Sequence, residues 1–129
     1  MSAYERIILI DDNDADNFFH EIMIRRAGFT GALEIFESGP DALAFLEKEE
    51  SLVPTCIFLD INMPSMDGFE VATRLTTLIE QHPWVVLVML TSSGNPLDKE
   101  RALSISSVKG FVTKPLEVEK VSALLQIPG

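Results

Sequence analysis

Basic residues are scarce. The 129-residue chain carries 10 Lys and Arg against 20 Asp and Glu, a formal net charge of −10. A chain so acidic lacks the basic patch that a phosphate backbone needs, which argues against nucleic acid as a partner. It equally disfavours an anionic membrane surface. There is one cysteine, Cys56, so an internal disulfide is excluded; a lone Cys within an apolar run reads as a small core residue of a protein in a reducing compartment. Long hydrophobic runs are missing, and no segment reaches the length of a transmembrane helix. The N-terminal stretch MSAYERIILIDD has no apolar core or small-residue cleavage site of a signal peptide, so the cytoplasm is the expected location. Internal repeats, low-complexity tracts and linkers are absent. What remains is a chain of 47% hydrophobic residues, enough for one globular domain spanning 1–129.

The apolar residues alternate regularly between two periods. RIILI (6–10) is a continuous β-branched run, as in a strand covered on both faces. A helix is predicted over 16–27, capped by Asp14 or Asp16 and stopped at Gly28, with Phe18, Phe19 and Ile22 at helical spacing. ALEIFES (32–38) alternates like a strand nearer a sheet edge. Further helices are predicted over 40–50, 68–81, 96–106 and 117–127, and further strands over 55–61, 84–91 and 110–114. The helix over 96–106 is the least apolar. Five strands alternating with five helices imply right-handed crossovers and a parallel sheet, an α/β doubly wound fold.

Open parallel sheets bind ligands beyond the carboxyl ends of their strands. The first strand ends in Asp11-Asp12, the third in Asp60 with Asn62 two residues on, the fourth in Thr91-Ser92, and the fifth in Lys114-Pro115. In the flavodoxin-like order 2-1-3-4-5, the first and third strands are neighbours and three carboxylates converge. Clustered acids repel unless a cation joins them, and a hard divalent ion with oxygen ligands is the natural partner: Mg²⁺, with Mn²⁺ able to take its place. Lys114 and the Thr91 hydroxyl are suited to holding phosphoryl oxygens. A carboxylate nucleophile beside such groups is a site for forming an aspartyl phosphate.

The motifs LIDDND (9–14), FLDINMPSMDG (58–68), VMLTSS (88–93) and GFVTKPL (110–116) occur in order, each at a strand end. With these, the chain resembles the CheY-like receiver domain of two-component response regulators over essentially its whole length. The resemblance implies that Asp60 accepts a phosphoryl group from a phosphohistidine of a sensor histidine kinase or histidine phosphotransfer protein. It implies Asp12, Asp60 and the main-chain carbonyl of Asn62 as Mg²⁺ ligands, with Asp11 acting through water. Lys114 and Thr91 would hold phosphoryl oxygens, Lys114-Pro115 would be cis, and Phe111 would occupy an aromatic switch position. Phe111 stands where Tyr is frequent, so the switch lacks a hydroxyl. Ser92 stands where a smaller Ala is frequent. Asn62 and Ser93 would flank the path of attacking water.

Only "PG" follows the last predicted helix, so the expectation is a stand-alone receiver with no output domain. It would signal by protein contact, to a downstream protein or a second copy, through the face of helix 4, strand 5 and helix 5. Two other readings are weighed. A phosphatase of the haloacid dehalogenase type also uses an Asp nucleophile with Mg²⁺, but Asn62 replaces its second carboxylate. An unphosphorylated scaffold of this kind usually loses an acid or the Lys, and here all are kept. Asp14, Asp16, Asp41 and Asp67 read as caps or turn formers, and His20-Glu21 as a chance resemblance to a kinase phosphorylation dipeptide. His82 reads as a helix terminus, and Phe18, Phe19, Phe45, Phe58 and Phe69 as core.

Overall fold

The computed structural model describes residues 4–49, 52–64, 66–92 and 94–126. The elements follow in the order β1 (Arg6–Ile10), α1 (Asp14–Arg26), β2 (Ala32–Phe36), α2 (Gly39–Glu47), β3 (Thr55–Asp60), α3 (Gly68–Gln81), β4 (Val85–Thr91), α4 (Pro96–Leu103), β5 (Val108–Thr113) and α5 (Val118–Leu124). All strand pairs are parallel and the order is β2-β1-β3-β4-β5, the flavodoxin-like arrangement read from the sequence.

Burial explains the strand sequences. Every residue of β1, β3 and β4 is buried, because helices cover both faces of these central strands. Alternate side chains enter two cores. Ile8, Ile10, Ile57, Leu59, Leu87 and Met89 pack in one with Val71, Leu75 and Ile79 of α3. Ile7, Leu9, Cys56, Phe58, Val88 and Leu90 pack in the other with Met23 and Ile24 of α1 and Val121 of α5. Burial pushes the Cys56 thiol up to about 12, an inert core sulfur. The strands β2 and β5 are edges and are only partly buried.

Several local expectations are corrected. The N-cap of α1 is Asn13, whose Oδ1 accepts from the Asp16 N–H at 2.9 Å, not Asp14 or Asp16. Ser38, not Asp41, caps α2. Asp67 does cap α3, accepting from the Glu70 N–H at 2.9 Å, and His82 is the C-cap of that helix. Gly28 follows α1 with φ 97°, a left-handed conformation that only Gly adopts without strain. Among the expected core aromatics, Phe58 and Phe69 are buried and Phe45 packs partly against the core, whereas Phe18 and Phe19 are exposed. The strand β5 begins at Val108, two residues early: Val108 pairs with Leu87 and Gly110 with Val88, so Lys109 is the extra residue of a bulge. The helix α4 stops at Leu103 and α5 at Leu124. Ser93, part of the expected water path, and the C-terminal residues 127–129 lie outside the described residues.

One glycine fixes the β3–α3 connection. A Cβ on Gly68 would lie 2.4 Å from the Asp60 carbonyl oxygen and 2.8 Å from the Ile61 Cα. The Gly68 N–H donates to the Ile61 carbonyl at 2.8 Å, so the first turn of α3 rests directly on the backbone that carries Asp60. Gly68→Ala should therefore lower stability by about 1–3 kcal/mol despite the better helix propensity of Ala, by analogy with overpacking elsewhere. Urea unfolding checks this, and an unchanged midpoint would contradict the close approach.

Candidate functional site

The register of the central strands assembles the site. Ile10 pairs with Leu59, so Asp11 and Asp60 end adjacent strands at the same level. Asp60 pairs with Leu90, which places Thr91 one residue beyond it; Thr91 in turn pairs with Thr113, the residue before Lys114. Four strand ends thus bring Asp11, Asp12, Asp60, Thr91 and Lys114 to one crevice. Carboxylate oxygens of Asp11, Asp12 and Asp60 all lie within 4.8 Å of one another. Asp11 and Asp60 are buried and Asp12 is exposed.

Backbone contacts hold these groups. The Asp11 N–H donates to the Phe36 carbonyl at 3.0 Å, and the Asn13 N–H donates to Asp11 Oδ1 at 3.0 Å. Asn17 Nδ2 donates to the Asp11 carbonyl at 2.9 Å. The Lys114 N–H donates to the Thr91 carbonyl at 2.7 Å, tying β5 to β4, and the peptide from Lys114 to Pro115 is cis, as expected. Thr91 is fully buried. The Ile61 N–H donates to the Leu90 carbonyl at 3.0 Å, and the next residue, Asn62, is exposed on the loop beyond β3.

The Lys114 ammonium contacts three carboxylates: Asp11 Oδ2 at 2.6 Å, Asp16 Oδ2 at 2.8 Å and Asp60 Oδ1 at 3.2 Å. Burial by itself would lower the pKa of Lys114. The hydrogen bonds to Asp11 and Asp16 and the charges of Asp11 and Asp60 outweigh it and raise the group, so it stays cationic. For Asp60 burial dominates. Together with the charge of Asp11, and less that of Asp12, it pushes the carboxyl up to about 6 against the pull of Lys114. The site is therefore short of positive charge, and its all-oxygen donor set fits a hard divalent cation.

Asp16 was read as a cap and is instead a ligand of Lys114. Asn17 and His20 were not singled out as inward-facing. They occupy the buried face of α1 with Met23 and Ile24, and the exposed Phe18 and Phe19 lie off it. The His20 Nε2 accepts from the Leu116 N–H at 3.2 Å. Burial first, then the charge of Lys114, lowers the His20 pKa against the opposing charges of Asp11 and Asp16. A buried imidazole that accepts from a main-chain N–H fits a structural histidine. The polar positions 17 and 20, one turn apart on a buried face otherwise made of Met23 and Ile24, were the available signal. Phe111 is half-buried against the core beside Met89, its register partner, and borders a groove of about 410 Å³ with Lys120 and Leu124.

An acidic crevice with a reaching lysine at the carboxyl edge of a five-stranded parallel sheet defines a class of phosphoryl-accepting α/β domains. Residues 7–126 match the family model of the response regulator receiver domain, and the chain belongs to that family. It is 32% identical over 127 residues to the "Probable methanogenesis regulatory protein FilR2" of Methanothrix harundinacea, covering 93% of this chain and 78% of that one. It spans about half the length of several transcriptional regulators that it also matches. Among solved structures, the chemotaxis protein CheY4 of Vibrio cholerae superposes with a TM-score of 0.77 at 26% identity, over 96% of this chain and 98% of that chain. The Mn²⁺-bound form of response regulator Rcp1 superposes with a TM-score of 0.71 at 28% identity, over 95% of this chain and 89% of that chain. No helix among the described residues is long and apolar enough to cross a membrane.

The raised pKa of Asp60 sets a pH dependence. A free carboxyl titrates near 4, so between about pH 4 and 6 the folded state binds more protons than the unfolded one, and stability falls as pH rises through that window. Asp60→Asn removes the titration. In the absence of divalent cations it should be more stable than wild type at pH 7.5, on the order of 2 kcal/mol, with the difference disappearing below about pH 4. Denaturant unfolding of both proteins across this range provides the check.

Proposed function

We propose that this chain acts as a response regulator whose phosphoacceptor is Asp60. The observation that carries the reading is the buried carboxylate at the end of β3, set between two further acids and a lysine ammonium at 3.2 Å. In the reaction, an Asp60 carboxylate oxygen attacks the phosphorus of a phosphohistidine on a sensor kinase or phosphotransfer protein. The new P–O bond forms as the P–N bond breaks, and the imidazole leaves with the electron pair. The product is an acyl phosphate.

Asp12, Asp60 and the Asn62 main-chain carbonyl would hold Mg²⁺ or Mn²⁺, with Asp11 acting through water. The ion, when bound, would offset the charge of the clustered oxygens. Lys114 orients toward the oxygen that receives the group, and the Thr91 hydroxyl completes the ring of donors. The chain serves as an acceptor of phosphate rather than as a turning-over phosphatase: Asn62 stands where a second carboxylate would be needed. Its location would be cytoplasmic, and its output a protein contact rather than a nucleic-acid or membrane contact.

The output face is the one formed by α4, β5 and α5. The helix α4 has one buried residue among its eight, Ala102, supported by the Arg101 guanidinium 4.1 Å above the Phe69 ring, while Leu97 is 71% exposed. A helix so lightly anchored shifts at small cost. Attraction of Thr91 to the phosphoryl group frees space beside β4, and Phe111, lacking a hydroxyl, fills it by packing alone. A downstream protein or a second copy then meets a changed surface.

Two results are expected. With a small phosphodonor and Mg²⁺, intact mass should rise by one alkali-labile phosphoryl group in wild type and not in Asp60→Asn, with Asp12→Ala labelled at least tenfold more slowly by analogy with loss of a metal ligand contact. Thr91→Ala should still be labelled but lose phosphate-dependent partner or self-association, whereas Phe111→Tyr should keep both. An unphosphorylated scaffold would show no mass change, and a phosphatase would turn over a phosphate ester.

A further inference from the structure

Three details of the crevice are left unused by the reaction above. First, the Lys114 ammonium donates hydrogen bonds to Asp11 and Asp16 and lies at ion-pair distance, 3.2 Å, from Asp60. A phosphoryl oxygen on Asp60 draws the ammonium toward itself and so competes with those two partners for it. Asp11 is poorly placed to yield: its side chain is 3% exposed, and its other oxygen is fixed by the Asn13 N–H. The Asp16 side chain is 39% exposed, so water can receive it. Second, Asp16 borders a cavity of about 460 Å³ together with Phe19, His20, Ser92 and Lys114, which leaves its carboxylate room to move. Third, the His20 Nε2 accepts from Leu116, so the neutral ring carries its proton on Nδ1; that buried Nδ1 has no hydrogen-bond partner among the described residues. A buried donor without a partner is unusual and calls for an explanation. His20 lies four residues after Asp16, one turn along the same helix, and helical side chains lean back toward the preceding turn.

We propose that Asp16 is a positioning residue with two stations: it holds the Lys114 ammonium while Asp60 is unmodified, and it passes to the Nδ1–H of His20 when Lys114 turns to a phosphoryl group. Asp16 keeps Lys114 at the mouth of the crevice before reaction and competes with the phosphoryl group for it afterwards. The exchange leaves no partner uncompensated, because the carboxylate released by Lys114 meets the waiting imidazole donor. This inference rests on Asp60 being the phosphoacceptor.

The test uses beryllofluoride, a phosphoryl mimic, with Mg²⁺ and the full chain. Calorimetry gives its affinity for wild type, Asp16→Asn, Asp16→Glu and Asp14→Asn, and nitrogen NMR follows His20. Asp14 lies on the same turn and makes no ion pair with Lys114 among the described residues, so it controls for a general change in charge. Removing the competitor should tighten binding about three- to fivefold in Asp16→Asn, the range of a partly exposed ion pair. Asp16→Glu should return toward wild type, and Asp14→Asn should change affinity by less than about twofold. The His20 Nδ1–H resonance should move downfield on binding in wild type and stay in place in Asp16→Asn. Equal affinities of Asp16→Asn and wild type, equal tightening in Asp14→Asn, or a His20 resonance indifferent to the mimic would each overturn the assignment while leaving the acceptor reading intact. Failure of wild type to bind the mimic at all would remove both.

Discussion

The carboxyl edge of this sheet depends on one ammonium group. Lys114 reaches from the end of β5 to Asp11 at the end of β1 and to Asp60 at the end of β3, spanning 103 positions of sequence in the first contact. Both carboxylates are buried, and like charges drawn out of water repel strongly unless a counterion shares their space. The contact depends on the strand order, because the order 2-1-3-4-5 puts β1 beside β3 and leaves only β4 between β3 and β5 at the shared carboxyl edge. The fold makes the site, and the site carries a local cost that the two apolar cores offset.

That cost is also the source of the chemistry. One lysine against Asp11, Asp12, Asp16 and Asp60 leaves the crevice with excess negative charge. Such a site favours a small, hard cation and gains most from one when a further anionic group arrives. The first turn of α3 is pressed against the Asp60 backbone through Gly68 and does not move easily, whereas α4, on the other side of β4, is held by Ala102 and a stacked Arg101. Under the proposed function, α4 is the element beside the site that yields more readily than α3.

Much of this was legible in the residues. The runs read at 6–10, 55–61 and 84–91 gave the buried strands, observed over 6–10, 55–60 and 85–91, since a parallel sheet covered on both faces leaves no polar period to read. Polar residues at the ends of those runs gave Asp11, Asp60 and Thr91, and the end of the edge run 110–114 gave Lys114. Legibility failed where helix rules met the site. Phe18 and Phe19 looked like core by spacing, but the first turns of α1 lie over a polar crevice, so Asn17 and His20 turn inward to bond backbone groups and the aromatics face water. Asp16 looked like a cap because an acid in a first helical turn usually is one; its contact with Lys114, 98 residues away, has no local signature. The bulge that starts β5 early was hidden for a similar reason, since Lys109 and Gly110 weaken the strand pattern where the edge begins.

The central claim is that Asp60 carries the phosphoryl group as an acyl phosphate. Reductive trapping addresses it at the level of the bond. Borodeuteride converts an aspartyl phosphate to deuterated homoserine, and peptide sequencing by mass spectrometry then reads the position. After phosphorylation in Mg²⁺ the account predicts homoserine at residue 60 and at no other acid. Label at Asp11, Asp12 or Asp16, or phosphate that survives on His20 with residue 60 still Asp, would contradict it.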